Sequence, residues 1–444
     1  MKRIIVPVCC HLRCERGAGW RVAVAALLAA ALVVSLAQGQ PPIADAFLPA
    51  PVSGTASPIS LADLEQLALA NNPTLVMASA NVRAARGRQI QGGLWPNPTI
   101  GYMAEDIGED DSAGQHGGFV SQEFVTGGKL RLNRAIGGRE VEERQLLFDA
   151  QQLRVLNDVR LRFYDALAAQ RRANLSEEIA ELSQQSAVQS QQQFTAGQIS
   201  ENDLLQAEIE AQESRILADT ASSQLAEAHR RLAAVVGVDH LDVSSLSGDL
   251  EDNIPSYSWD ESHSLVLSQN PRLAAAQARV ARARIALCRA RRENVPNVEV
   301  MASVGHMDQT GDDVAGVQIG IPLPICNRNQ GNILSAEAEL IAAQNDSRRI
   351  ELELQDQLAM AYRRYVNAQQ QVKRYRDEIR PRAQKSWDFV RQGFSQGQVG
   401  TLDLLISQRT YARVNLMFVE ALAELRRAVT LIEGMLLSDS LQEE

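Results

Sequence analysis

Few residues in this chain are spaced as chemistry would require. Along the 444 positions there is no Gly-rich phosphate loop, no nucleophile elbow and no cluster of histidine with carboxylates, so an enzyme is not expected. His116, His229, His240, His263 and His306 are scattered. No two of them share a helix face at metal-ligand spacing, so neither a resident metal nor another cofactor is expected. Cys288 and Cys326 belong to no recognisable motif and make no disulfide framework.

What stands out is an aromatic, a glycine and an aspartate that occur together twice. Phe194-Thr195-Ala196-Gly197-Gln198-Ile199 leads to Asp203-Leu204-Leu205, and Phe394-Ser395-Gln396-Gly397-Gln398-Val399 leads to Asp403-Leu404-Leu405. A carboxylate just after a turn can hold the start of a helix, where the dipole favours negative charge. Ser200, three residues before Asp203, is a suitable capping partner.

The spacing between the two copies sets the architecture. Besides these turns, Asn72-Pro73 recurs as Asn270-Pro271, and Trp95-Pro96-Asn97-Pro98 as Val295-Pro296-Asn297-Val298, at nearly one offset. Each half should therefore be one structural unit, with residues 61–248 and 259–437 as repeats joined by 249–258. Each unit opens with two helices, Leu61 to Ala70 and Thr74 to Gln91, then Ser264 to Gln269 and Arg272 to Arg292, the second of each pair stopped by a proline. Period-two alternation follows, as in Val298 to Val304 and Val317 to Ile321. It predicts hairpins over about 97–125 and 297–323. Their loops carry Glu105, Asp106, Glu109, Asp110, Asp111, Asp312 and Asp313 as a solvated acidic fringe, with His116 and His306 on the same loops, where they could bind a metal although exposed loop histidines usually bind nothing.

Beyond each hairpin lies a long helical hairpin, 130–236 and 331–434. Residues 139–196 contain neither Gly nor Pro, and as one helix would reach about 85 Å. Leu146, Ala150, Leu153, Leu156, Phe163 and Leu167 recur at mostly three- and four-residue steps, as coiled-coil packing requires. Pro381 should kink the first long helix of the second unit. The fold class is mainly α with a small β part. Four strands cannot enclose anything but their own side chains, and in a membrane only a closed barrel satisfies every backbone group. Three copies pooling twelve strands would close one; a non-channel coiled-coil scaffold leaves the hairpins unexplained.

The first 37 residues read as a signal peptide: basic residues precede the uncharged run Val22 to Ala37, whose 16 residues fall short of a span. No cysteine follows the run, so no lipid anchor is expected. Residues 38–60 form an extension and 438–444 a tail. Without the leader the chain has 39 basic and 53 acidic residues, a net charge of −14, which argues against nucleic acid as a partner.

Asn72-Pro73, Trp95-Pro96-Asn97-Pro98, Gly127-Gly128-Lys129, Ala166-Leu167-Ala168-Ala169-Gln170 and the two turns together resemble the TolC-like outer-membrane efflux factors. The Pro-Asn-Pro, Gly-Gly-Lys and Leu-Ala-Ala-Gln motifs are most similar to the cation-efflux branch of the resistance-nodulation-division class. The resemblance implies a homotrimer in outer-membrane lipid of a Gram-negative bacterium, with a twelve-stranded barrel and a long periplasmic helical tunnel. It also implies a periplasmic adaptor and an inner-membrane pump as partners. The exported solute would be a heavy-metal cation, with drugs or secreted protein as alternatives. The turns would form the periplasmic mouth, with Phe194, Asp203, Phe394 and Asp403 at its gate. There carboxylates converging from three copies would favour cations and repel one another, raising some of their pKa values and making the mouth sensitive to pH. The cap and the gate both remain open for Asp203. An adaptor would dock at Ala196, Gly197, Gln198, Ile199, Leu204 and Leu205, and at Gln396, Gly397, Gln398, Val399, Leu404 and Leu405. The plainer reading is that the glycines only permit the turns and the leucines are coiled-coil core. Ile199 and Val399 occupy the position where some members carry an arginine latch, so that latch is not expected.

Overall fold

The computed structural model of the chain describes residues 59–108, 114–241 and 246–442. The leader, most of the extension, Glu109, Asp110, Asp111 and residues 443–444 lie outside the described residues.

Each unit begins with a capped pair of short helices. In the first, α1 (Leu61–Asn71) starts at a reciprocal capping box between Ser60 and Asp63, and α2 (Pro73–Gly92) follows at once. In the second, α5 (Trp259–Gln269) starts earlier than the sequence predicts, because Ser258 caps it by accepting from the Glu261 amide; α6 (Pro271–Arg292) follows. The duplicated Asn-Pro pairs have a shared task. Asn72 Oδ1 accepts from the Thr74 amide at 3.0 Å while its Nδ2 donates to the Val235 carbonyl at 2.8 Å. Asn270 Oδ1 accepts from the Arg272 amide at 2.9 Å while its Nδ2 donates to Met435 O at 2.9 Å. Each asparagine thus caps its helix, with proline in the first turn, and ties it to the end of its own repeat. Helices α2 and α6 stop at Gly92 and Arg292, before Pro96 and Pro296 are reached. The prolines therefore keep the following segment extended; they do not terminate the helices.

Strands β1 (Thr99–Glu105), β2 (Gln115–Phe124), β3 (Val298–Met307) and β4 (Asp312–Gly320) form one antiparallel sheet in the order β1-β2-β3-β4. The two hairpins, one per repeat, meet where β2 pairs with β3, from Gln115↔Met307 to Phe124↔Val298. The register places Ile100, Val120, Ala302 and Val317 in one row on one face. Thr99, Ser121, Met301 and Gln318 lie on the other. On the apolar face Ile100 is 78% and Val317 75% exposed, and Tyr102, Val304 and Ile319 are exposed as well. Among the described residues nothing covers this face, which is the reverse of a sheet built to pack on a core.

Two long helical hairpins leave the sheet. Helix α3 (Lys129–Thr195) is a single 67-residue rod of about 100 Å, longer than predicted because it runs on through Gly137 and Gly138. Packing along α2 offsets their weak helix propensity, which costs about 1 kcal/mol each. Helix α4 (Glu201–Val236) returns along it. In the second repeat α7 (Gln330–Arg374) passes through a π-turn, Tyr375–Ile379, into α8 (Arg380–Ser395), and α9 (Thr401–Glu433) returns. The expected effect of Pro381 takes the form of that π-turn. Proline offers no N–H, and the Arg380 amide beside it bonds Tyr375 O in an i→i−5 step.

The main core lies where the short helices meet the long ones. It joins Leu64 of α1, Val159 and Phe163 of α3, Leu232 of α4, Leu354 and Tyr365 of α7, and Leu425 and Ile432 of α9. The joint between the repeats is fastened into it. Buried Arg426 donates to Leu250 O at 2.8 Å and to the Asp252 carbonyl, and Tyr365 Oη donates to Pro255 O at 3.2 Å. The chain beyond α9 is docked too: Asn157 Nδ2 donates to the carbonyls of Gly434 and Leu437 at 2.7 and 2.8 Å. Asp158 accepts from the amides of Asp439 and Ser440.

Candidate functional site

The two turns that the sequence singles out have one geometry. Gly197 takes φ +68°, its N–H donates to Phe194 O at 2.8 Å, and the Gln198 N–H donates to Gln193 O at 2.9 Å. Gly397 takes φ +70°, its N–H donates to Phe394 O at 3.1 Å, and the Gln398 N–H donates to Gly393 O at 2.9 Å. Both are Schellman closures, which need a left-handed residue that glycine adopts without strain. Around both glycines there is open space where a side chain would be. Ala196, Gln198, Gln396 and Gln398 are exposed, and Ile199 and Val399 are half-buried beneath them.

The carboxylates that follow are not equivalent. Asp203 N–H donates to Ser200 Oγ at 3.2 Å, while Asp203 Oδ2 accepts from the Ser200 N–H at 3.2 Å and from its hydroxyl at 2.7 Å. This capping box occupies the carboxylate and leaves it half-buried. At the second turn Gly400 stands in the cap position and supplies no side-chain hydrogen bond. Asp403 is exposed beside the helix N-terminus, with its carboxylate directed to solvent and free to meet another charge.

The packing beneath the turns differs in the same sense. Phe194 is 37% exposed, whereas Phe394 is 2% exposed and packs with Trp387 and Leu404. Leu204 and Leu404 are both buried; Leu405 is buried, but Leu205 is exposed. The first hairpin holds its end together with Ala187, Ala207 and Ala211, so its backbones approach closely, and the second uses aromatic side chains. Thus Leu204, Leu404, Leu405 and Phe394 are hairpin core, and Phe194, Leu205 and the turn backbones are open surface. The outward sides also carry Ile209 on α4, Phe389 on α8, and Leu402 and Ile406 on α9, all exposed.

Polar links that the sequence does not reveal join α9 to the first hairpin. Gln408 Nε2 donates to Ser183 Oγ, which also shares a hydrogen bond of 2.7 Å with Ser214 Oγ. Arg409 pairs with the buried carboxylate of Glu210. These residues lie 199 to 225 positions apart, and polar side chains on a long helix look solvated until a partner is placed beside them.

Among the described residues no group of three or more His, Cys, Asp or Glu converges as a metal cage, and no helix is long and apolar enough to cross a membrane. His229 is partly buried on α4, where desolvation holds its pKa below the ordinary histidine value. His116 and His306, expected in loops, lie instead on β2 and β3, because both hairpins continue as strands further toward their tips than the alternation suggested.

Comparison with known proteins gives this geometry a setting. The family model described as outer membrane efflux protein matches residues 64–238 and 263–436, one stretch in each repeat. The cobalt-zinc-cadmium resistance protein CzcC of Cupriavidus metallidurans is 25% identical over 385 residues, covering 86% of this chain and 90% of its own. The nickel-cobalt-cadmium resistance protein NccC of Alcaligenes xylosoxydans xylosoxydans is 25% identical over 291 residues, 63% of this chain and 64% of its own. Among solved structures, CusC, described in connection with transmembrane channel formation, aligns with a TM-score of 0.73 at 17% identity, covering 84% of this chain and 91% of its own.

Proposed function

The chain belongs to the outer membrane efflux protein family, and from that premise we propose that it is one subunit of a trimeric exit duct for divalent heavy-metal cations. The observation that carries the duct is the sheet. Among the described residues it presents an uncovered apolar face, a polar and glycine-bearing opposite face, and edge strands β1 and β4 that pair on one side only. Lipid offers no hydrogen bonds, so such edges must close on other copies, and the polar face then lines water. Twelve strands from three chains make a hollow barrel, and the long helical hairpins extend it as a tunnel on the periplasmic side of the outer membrane.

The heavy-metal cargo is supported by the names of the two resistance proteins to which the chain is similar. At the far end of the tunnel the turns form the mouth. Asp403, exposed and uncapped, carries the cation preference there and forms the gate beside the exposed Phe194, while Asp203 and Phe394 serve the cap and core of their own hairpins. The exposed turn glycines, Leu205 and Leu402 offer a surface on which a periplasmic adaptor docks and couples the duct to an inner-membrane pump.

The test is assembly followed by conduction. Protein extracted in detergent is expected to sediment as a trimer with a β-sheet component in its circular dichroism spectrum, and to form cation-preferring channels in a planar bilayer. A monomer that stays soluble without amphiphile would overturn the reading.

A further inference from the structure

At the hairpin-loop end of the sheet the register brings two histidines face to face. His116 of β2 pairs directly with His306 of β3, and His306 pairs in turn with Asp313 of β4. Directly opposed residues share a sheet face with Cβ atoms about 5 Å apart. Each imidazole is already oriented through Nδ1. His306 Nδ1 donates to Asp313 Oδ1 at 2.9 Å, and His116 Nδ1 is hydrogen-bonded to the Tyr102 hydroxyl, with the two rings stacked at 6.1 Å. A phenol oxygen accepts as readily as it donates, so both Nδ1 atoms can hold the proton and leave both Nε2 lone pairs available.

A carboxylate or hydroxyl bonded to Nδ1, which fixes the tautomer and leaves Nε2 for a metal, is the usual arrangement of metal-binding histidine. We propose that His116 and His306 bind one divalent transition cation through their Nε2 atoms, water completing its coordination, with Asp313 and Tyr102 as positioning residues. Imidazole suits zinc, nickel and copper, whereas calcium and magnesium prefer oxygen.

Charge points to the same ligand. The segments 99–124 and 298–320, which contain all four strands and both hairpin loops, include no lysine or arginine. Glu105, Asp106, Asp308, Asp312 and Asp313 surround the strand ends. An anionic phosphate would find no partner here, while a cation meets a field that concentrates it. Two protein ligands make an open, exchanging site and not a structural one, so the sheet folds without metal. The site lies on the sheet, far along the chain from the turns, and its existence does not depend on which solute the duct carries.

Zinc alone, titrated calorimetrically into the full-length protein in detergent, tests this. The unsubstituted chain is expected to bind one zinc per subunit at this site. His116→Gln and His306→Gln should each weaken that binding at least about tenfold, and Asp313→Asn by a smaller factor. His263→Gln, on α5, should leave it unchanged. Cupric ion on the same protein should give a paramagnetic resonance spectrum of two coordinated nitrogens that both sheet variants lose. Because His306 and Asp313 are exposed and His116 and His263 only half-buried, unaltered assembly and circular dichroism of the variants are expected. Zinc affinity unchanged in both sheet variants, or absent from the unsubstituted chain, would refute the site.

Discussion

The two turn aspartates differ in their nearest neighbour, and that difference predicts which of them serves stability and which conduction. Asp203 and Asp403 occupy equivalent places, but Ser200 engages the first in a capping box and Gly400 leaves the second unpartnered. Asp403→Ala is therefore expected to raise single-channel conductance and lower cation preference in a bilayer. Asp203→Ala should chiefly cost about 1 kcal/mol of stability through the lost cap, read as a lowered Tm. Equal conductance in Asp403→Ala and the unsubstituted channel would remove Asp403 from the gate. The buried asparagines are the structural counterpart. Asn270→Ala strips the Arg272 and Leu273 amides and the Met435 carbonyl of their partner and is expected to cost about 2 kcal/mol. His229 adds a pH dependence. Burial lowers its pKa and its Nε2 has no hydrogen-bond partner, so the fold favours the neutral ring. The stability this provides is present above the ordinary value of about 6.5 and is lost as pH falls through the lower, folded-state value. Between pH 7 and 5 the Tm of His229→Gln should accordingly fall less than that of the unsubstituted chain.

At the scale of elements, the duplicated landmarks were legible because each repeats a local job. Asparagine before proline caps a helix, glycine closes a Schellman turn, and alternation marks a strand, all within a few residues. The start of α5 has such a local signal too, the capping spacing of Ser258 and Glu261. Other features had no local signature. Asn157 and Asp158 look like solvent-facing polar residues of a rod until Gly434, Leu437 and Ser440 arrive from some 280 positions away. Arg426 looks like a surface charge, yet it is buried and neutralised by carbonyls of the joint. The asymmetry of the two hairpin ends was equally hidden, since Phe194 and Phe394 differ only in what packs on them. Pro381 shows how a correct local inference can take an unexpected form, its missing N–H absorbed by a widened turn. Pro381→Ala should let the ladder return to i→i−4 bonding across Tyr375–Ile379, seen as slower amide exchange over residues 379–385. Exchange left as it was would mean that proline does not place the π-turn.

At the scale of the whole molecule, the sheet leaves one face and two strand edges without partners among the described residues. Alone, the protomer would expose Ile100, Tyr102, Val304, Val317 and Ile319 to water on one face, whose hairpin-loop end also carries His116 and His306, an arrangement that in a soluble protein invites aggregation. In a barrel the same face meets lipid and costs nothing. Neighbouring positions on β4 separate these cases. Val317 belongs to the apolar face and Gln318 to the opposite one. In a membrane barrel Val317→Lys puts a charge against hydrocarbon, which costs about 2–4 kcal/mol near the midplane, multiplied by three copies. Gln318→Lys puts the same charge into the water-filled interior. The first variant is expected to lose membrane-inserted trimer in a heat-modifiability gel. The second should assemble normally and conduct with reduced cation preference, because the added positive charges line the passage. A sheet whose apolar face merely rested on another soluble surface would also resist Val317→Lys, but Gln318→Lys would then line no passage and leave ion preference unchanged. Normal assembly of Val317→Lys would take away the physical reason for closing three chains into one barrel.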